Sequence, residues 1–320
     1  MAEQAHSTNA RDETPASQSG REKSLGGALD RSHLRSTPGF YRRAWSRFRK
    51  DKIAVAALFV AAVIVIFSFS APLVSALTGY SYSQSDLMNK LLAPGEQGHL
   101  LGTDGNGRDI LTRLAYGGRV SMTVAVLALV SAFTIGATVG SIAGFYGGWI
   151  DSVLMRFVDI IISIPGITIL LLLSVWFRPG PVGLAFVIAA LAWTGISRLI
   201  RGEVLSLRSR DYVDAARVVG ASNRRIITNH ILPNVVSIAI VWMSLVLPGL
   251  ILYEATLSYL GFGVAIPQPS WGNMLEEAND FYRDSWTFVF IPGFAIYLSA
   301  LSLNLVGNAL RDALDPRLNE

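Results

Sequence analysis

The feature that most limits how this chain can fold is a set of long runs without charged side chains. Residues 53–77 form one such run of 25 residues, and residues 120–150 form another of 31. A helix needs about 20 apolar residues to cross a bilayer. Each run must be helical, because chain inside lipid has to satisfy its backbone hydrogen bonds internally. With only 16% charged residues overall, the sequence predicts an all-α polytopic membrane protein.

Six transmembrane helices are predicted from the apolar runs. They are Ile53–Leu77, Val120–Ile150, Asp151–Val175, Val182–Ser197, Val235–Tyr253 and Trp286–Leu310. The second run is longer than one span requires, so we expect a turn near Gly147 and Gly148 to end it. The fourth is shorter and continues directly into Arg198.

The distribution of Lys and Arg predicts the orientation of these spans. With the N-terminus inside, 21 of the 27 Lys and Arg residues fall in inner segments and 6 in outer segments. Inner loops carry the excess of positive charge in membrane proteins, so both termini and residues 198–225 are expected to face the cytoplasm. The net charge of +4 is explained in this way, and by contact with anionic membrane lipid, without a nucleic-acid partner.

Four regions are expected along the chain. Residues 1–40 are polar and lack an apolar segment, which predicts a disordered cytoplasmic tail rather than a signal peptide. Residues 41–116 hold the first span and an extracytoplasmic region. Residues 117–312 form the core, with five spans and a cytoplasmic loop at 203–234, and residues 313–320 form a cytoplasmic C-terminal tail.

Small residues and prolines mark special positions within the spans. Gly136, Gly140 and Gly144 recur every four residues, which predicts a groove that a neighbouring helix can approach closely. Pro165, Pro248 and Pro292 each precede a glycine inside a span. Proline removes a helical hydrogen bond and permits a kink, so Pro165 and Pro248 are candidates for cavity-lining or gating positions.

Two acidic residues in the spans are candidates for a functional site. Asp159 lies well inside the third span, where an ionisable residue is a functional candidate by default. Arg156 precedes it by three residues on the same helix face, so we expect the two side chains to pair. Glu254, at the outer end of the fifth span, is the better candidate for facing a polar cavity.

Several kinds of chemistry have no signature in this sequence. There is no phosphate-binding G-x-x-x-x-G-K-[ST] motif, no cysteine and no Ser/His/Asp arrangement. Leu101–Asp109 resembles a calcium loop, but Arg108 and Ala115 occupy positions where that loop needs ligands. The four histidines show no metal-binding spacing. The sequence predicts a membrane conduit rather than an enzyme, without catalytic residues, cofactor or metal.

The segment "DYVDAARVVGASNRRIITNHILPN", residues 211–234, is a basic stretch between two apolar runs. Tyr212–Val219 is predicted to be helical and Gly220 to end this helix. Ser222 is expected to cap a second helix, Asn223–Ile231, which Pro233 would stop. This helix–hinge–helix elbow suits docking to a soluble partner, and the alternative is an ordinary inner loop that anchors the flanking spans.

The elbow resembles the signature loop of permease subunits of ABC importers, which has the pattern E-A-A, three residues, G, nine residues, I-x-L-P. In this family the loop forms the coupling helix that docks in a cleft of the ATPase subunit. The departures are Asp214 in place of Glu and His230 in place of the first Ile. The resemblance places the coupling residues at Asp214, Ala215, Ala216, Arg217, Gly220, Ile231, Leu232 and Pro233.

Four further motifs resemble the C-type second permease of dipeptide, oligopeptide and nickel importers. They are "FYRRAWSRFRKDKIAVAAL", "HLLGTDGNGRDILTRLAYGGRVSM", "ATLSYLGFGVAIPQPSWGNML" and "LRDALDPRL". The resemblance, which covers residues 40–318, implies a type I ABC importer permease fold in the plasma (inner) membrane of a bacterial-type cell. It also implies a second homologous permease, two cytoplasmic ATPases that bind ATP and Mg, and an extracytoplasmic substrate-binding protein.

The substrate implied by the resemblance is a dipeptide or oligopeptide. Nickel or another small solute is the alternative within the family, since the binding protein of such systems carries the metal. An alternative of another class is a membrane scaffold or sensor that does not transport, with the elbow binding a regulator. Association with an ATPase distinguishes this last alternative from a transporter.

Overall fold

A computed structural model describes residues 45–177 and 180–314 of the chain. The predicted tail at residues 1–40 and most of the predicted C-terminal tail lie outside the described residues. The described part is helical apart from its loops and one isolated bridge between Thr103 and Asp109. The prediction of an all-α membrane protein is confirmed.

Eleven α-helices are numbered here in chain order within the described residues. They are α1 (Lys52–Phe69), α2 (Ala71–Thr78), α3 (Ile110–Tyr146), α4 (Gly148–Ile162), α5 (Gly166–Phe177), α6 (Pro181–Leu207), α7 (Asp211–Val218), α8 (Asn223–Ile226), α9 (Leu232–Tyr259), α10 (Trp271–Ala278) and α11 (Trp286–Leu314). Short 3-10 turns occupy Glu96–Gly98 and Asn279–Phe281, and a π-helical turn occupies Ile227–Ile231.

The predicted spans are found with changed boundaries. In the described residues, α1, α3, α6, α9 and α11 contain stretches long and apolar enough to cross a membrane. The predicted third span corresponds to the pair α4 and α5, which bend by 83° at the break between them and make a sixth candidate span when counted as one. Pro165 lies in this break, where its missing N–H and its ring prevent a continuous helix. By contrast, α9 continues through Pro248 and α11 through Pro292.

The glycine groove of α3 is confirmed as the contact surface for α6. A Cβ added to Gly140 would lie 2.5 Å from the carbonyl oxygen of Ser197, and one added to Gly136 would lie 2.8 Å from that of Trp193. Gly144 is equally close to Arg201 and Val204 of α6. Small residues let two helix backbones approach in this way, so α3 and α6 form the central pair of the bundle.

The two ends of the bundle differ in construction. The loop end carries the connections at 79–109 and 260–285, close to the start of α3. The elbow end carries the elbow, residues 211–233, next to the end of α3, where Arg217 lies 6.0 Å from the Phe145 ring centroid. Around the central pair, α1 and α11 pack together on one side, and α9 contacts both α3 and α11.

Candidate coupling surface and charged sites

The first half of the elbow is a short helix with a complete glycine cap. Helix α7 ends at Val218, and Gly220 follows with φ 85°, a conformation that glycine adopts without cost. The Gly220 N–H donates to the Arg217 carbonyl at 2.9 Å, and the Ala221 N–H donates to the Ala216 carbonyl at 3.0 Å. This pair of bonds is the Schellman motif, which confirms that Gly220 ends the helix.

The second half of the elbow continues into the next span. Ser222 caps α8 as predicted, its hydroxyl accepting from the Arg225 N–H. Pro233, however, does not stop the helix, and the prediction of a break there is wrong. The chain passes through the π-helical turn into α9, with Pro233 in its first turn. Proline is tolerated at this position, where its N–H is not required.

One face of the elbow is anchored in the bundle. Val213, Ile226 and Ile231 are completely buried and pack with Trp193 and Val204 of α6 in one apolar cluster. Burying a side chain of this size contributes about 1.5–3 kcal/mol relative to exposure. The elbow is therefore tied to the bundle by its own side chains.

The opposite face of the elbow is apolar and uncovered in this chain. Val218 and Val219 are 88% and 87% exposed, and Ala215 and Gly220 are also exposed. Of the two predicted docking alanines, Ala216 is instead half-buried against the inner cluster. The adjacent exposed valines beside the glycine turn form a small apolar surface on this face of the elbow.

The polar members of the elbow are arranged around this surface. Arg217 donates to the Asp214 carboxylate at 2.8 Å, and both side chains are exposed. The Arg217 guanidinium also faces the ring of Phe145 in α3. His230, which replaces an isoleucine of the signature pattern, lies 6.4 Å from Tyr212 between ring centroids, and Leu232 is half-buried beside it.

Two ion pairs connect α4 to α6. Arg201 contacts Asp151 with two hydrogen bonds, of 2.5 and 2.6 Å. Arg198 contacts Asp159, so the prediction that Asp159 pairs with Arg156 is wrong. Spacing along one helix made Arg156 the expected partner, whereas the contact is made across to a neighbouring helix that sequence spacing does not identify.

Glu254 is not found on a cavity surface. Its side chain is completely buried, and its Oε1 accepts a hydrogen bond of 2.7 Å from the Ser258 hydroxyl. Its other oxygen, Oε2, is buried without a hydrogen-bond partner among the described residues. The expectation that Glu254 faces a polar cavity is corrected: its carboxylate is enclosed on α9, which packs against both α3 and α10.

A buried charged cluster joins the start of α3 to α10 at the loop end. Arg108 donates to Asp104 at 2.6 Å and to Glu277 at 2.5 Å. Arg113 approaches the same two carboxylates at 3.3 and 2.9 Å. Burial raises the pKa of the Glu277 carboxyl above its ordinary value, while the guanidinium groups of Arg113 and Arg108 oppose this shift.

The loop before α3 is held by close backbone contacts. Gly107, with φ 74°, lies so close to the Asp86 carbonyl oxygen that an added Cβ would be 1.7 Å away. His99 Nδ1 lies 2.9 Å from Asp109, whose other carboxylate oxygen caps α3 by accepting from the Thr112 N–H at 2.8 Å. The Asp104 carboxylate accepts hydrogen bonds from the Asn106 and Arg108 N–H groups and from the Arg108 guanidinium. The acidic residue that gives this segment its resemblance to a calcium loop is therefore used to hold the loop together.

Comparison with known proteins identifies the family. Residues 136–320 match the family described as the inner membrane component of binding-protein-dependent transport systems, and residues 39–94 match the N-terminal transmembrane domain of oligopeptide transport permease C. The chain belongs to this permease family. It is 40% identical to the oligopeptide transport system permease protein OppC of Haemophilus influenzae over 87% of this chain and 88% of the relative.

Other relatives agree with this assignment. The permease is 38% identical to the dipeptide transport system permease protein DppC of Alkalihalophilus pseudofirmus, over 87% of this chain and 90% of the relative. It is also 38% identical to OppC of Escherichia coli strain K12, over 87% and 91%. The protein is therefore an inner membrane transport component without an enzymatic reaction of its own.

The structure separates the predicted site residues of the permease into two groups. The elbow residues form one continuous segment at one end of the bundle, whereas the other candidates are divided between α4 with its break (Asp159, Pro165) and α9 (Pro248, Glu254). Two features were missed in the sequence. The exposed Val218 and Val219 could have been found as apolar residues at the end of a polar helix, but the Asp104–Arg113–Glu277 cluster has no sequence signal because Glu277 lies 164 residues from Arg113 in the chain.

Proposed function

We propose that this permease is a subunit of an ATP-driven importer of dipeptides and oligopeptides. The supporting relatives are named for oligopeptide and dipeptide transport. In this proposal the chain forms the translocation pathway together with a second, homologous permease. An extracytoplasmic binding protein delivers the peptide, and two cytoplasmic ATPases bind ATP and Mg.

The observation that carries the coupling role is the two-sided elbow. Its inner face is buried in the bundle through Val213, Ile226 and Ile231, and its outer face exposes Val218 and Val219. A surface that is rigidly attached to the bundle and open to a partner transmits the partner's movement. The elbow end faces the cytoplasm in this proposal, in agreement with its seven Arg residues between 198 and 225.

The bent pair α4 and α5 supports a role in the pathway. Irregular backbone at membrane depth is tolerated where it is buried in protein or lines a water-filled cavity. The 83° break lies beside α6, which is the helix that leads directly into the elbow. A shift of the elbow would therefore be transmitted along α6 to the break, and in this way ATPase movement would change access to the pathway.

Uptake by the reconstituted complex tests the proposal. The permease is purified with its partner permease, ATPases and binding protein, placed in proteoliposomes, and supplied with ATP and a labelled tripeptide or with radioactive nickel. We expect peptide uptake that depends on ATP and on the binding protein. Uptake of nickel without peptide would overturn the peptide assignment, and a permease that assembles with no ATPase would favour the scaffold or sensor.

A further inference from the structure

The two ion pairs between α4 and α6 differ in how far they are exposed. Asp151 and Arg201 are 15% and 34% exposed and form a two-pronged contact. Asp159 and Arg198 are 50% and 48% exposed and are joined through a single guanidinium nitrogen. The less exposed pair, Asp151–Arg201, is thus sufficient to tie the two helices together. The presence of the more exposed pair, Asp159–Arg198, needs another explanation.

The exposed pair lies well away from the elbow end of the bundle. Asp159 is about three turns from the start of α4, in the last turn before the α4–α5 break, and Arg198 is between two and three turns, about 13 Å, before the end of α6. Charged side chains at such positions face a bundle interior or a water-filled path rather than lipid. Because half of each side chain is uncovered by this chain, the pair faces outward into a space that other components of the transporter complete.

The surroundings of the pair combine charge with apolar surface. Arg156 lies one turn before Asp159 on the exposed side of α4, and exposed Ser163 lies one turn after it. An apolar cavity of about 180 Å³ at the α4–α5 break is lined by Thr194, one turn before Arg198, and by Tyr253 of α9. The pair itself does not line this cavity, but the lining residues Ile162 and Thr194 each lie about one turn from a member of the pair.

We propose that Asp159 and Arg198 are specificity-determining residues that contact the charged ends of the transported peptide. The Arg198 guanidinium binds the C-terminal carboxylate and the Asp159 carboxylate binds the N-terminal ammonium group, while the apolar cavity receives a side chain. A half-exposed pair exchanges partners at little cost, since such pairs are weak in water. This inference rests on the proposed peptide substrate and adds how that substrate is recognised.

The first experiment compares peptides with free and blocked ends in the reconstituted complex. For each variant, uptake of a free tripeptide is divided by uptake of its N-acetyl or C-amide derivative, and the ratio is normalised to wild type to remove discrimination by the binding protein. Asp159→Asn should lower the free-to-acetylated ratio about tenfold, and Arg198→Gln should lower the free-to-amidated ratio about tenfold, as expected for a lost charge-assisted hydrogen bond.

The other ion pair supplies the matched control. Asp151→Asn removes a carboxylate from the same two-helix contact, and it should lower the amount of assembled complex without changing either ratio. Ratios that stay at the wild-type value in Asp159→Asn and Arg198→Gln would overturn the inference. A wild-type complex that takes up no peptide at all would instead overturn the proposed function.

A second measurement does not depend on blocked peptides. The chain contains no cysteine, so Ser163→Cys gives a single thiol one turn from Asp159. We expect a water-soluble maleimide to label this thiol and the transported tripeptide to protect it, while Ser209→Cys at the elbow end is labelled equally with and without peptide. A thiol at 163 that never reacts, or that peptide does not protect, contradicts a peptide path beside the pair.

Discussion

Asp104 and Arg113 are joined by a contact of 3.3 Å, and neither side chain is exposed to solvent. Arg113 belongs to the first turn of α3, and Asp104 belongs to the loop before it. Glu277 of α10 completes the contact from 164 residues further along the chain. The loop end is thus held together by buried charge, in contrast to the apolar anchor of the elbow.

Removing the arginine from this cluster should destabilise the permease. In Arg113→Met, Asp104 and Glu277 keep only Arg108 as a cationic partner while remaining largely buried. Leaving a buried charge with no partner costs about 3–5 kcal/mol, and this is the upper bound for the variant. We expect a lower thermal unfolding midpoint of the purified protein, measured by size-exclusion chromatography after heating. Arg119→Met, on the exposed side of the same helix, is the control, and equal midpoints for the two variants would contradict the prediction.

The close packing of α3 and α6 gives a second stability prediction. Gly140→Leu places a large side chain where even a Cβ would lie 2.5 Å from the Ser197 carbonyl oxygen. Overpacking at one site costs about 1–3 kcal/mol of folding stability, so the yield of folded protein and its unfolding midpoint should fall. Thr138→Leu lies on an exposed part of α3 and should leave both unchanged; a similar loss there would point to helix insertion rather than packing.

Features that depend on local periodicity could be predicted from the sequence. The apolar runs predicted the spans, and the spacing of Gly136, Gly140 and Gly144 predicted the α3 face that α6 contacts. Gly220 was predicted correctly as a helix end because the Schellman motif needs only adjacent residues. Each of these features is encoded within a few turns of one helix.

Features that depend on which helices are neighbours could not be predicted. The partner of Asp159 is Arg198, 39 residues away, and spacing within α4 favoured Arg156 instead. Glu254 was expected on a cavity because it lies near the end of an apolar run, whereas it is completely buried on α9, which packs against α3 and α10. Pro233 was expected to stop a helix, but the π-helical turn before α9 accommodates it.

The exposed valines of the elbow should be required for binding the ATPase. Val218→Asp with Val219→Asp replaces an apolar contact surface by two charges, and surface changes of this kind alter folding stability by less than about 0.5 kcal/mol. We expect the variant to insert and fold normally but to lose the ATPase during purification. Thr228→Asp, exposed on the same elbow, is the control and should retain the ATPase. Retention of the ATPase by the double variant would show that the surface is not the docking site.

The glycine at the elbow turn should be required for coupling rather than for folding. Gly220 has φ 85° and no neighbouring atom within 4 Å of an added Cβ, so Gly220→Val meets no clash but strains the backbone by roughly 1–3 kcal/mol. The turn would relax away from this geometry and shift Val218 and Val219, which lowers ATP-driven uptake while the protein still inserts.

Gly220→Asn should retain more uptake, because asparagine tolerates positive φ better than valine. Gly202→Ala, at an open helical position of α6, should transport normally. Uptake by Gly220→Val equal to that of Gly202→Ala would show that the turn geometry is not needed for coupling.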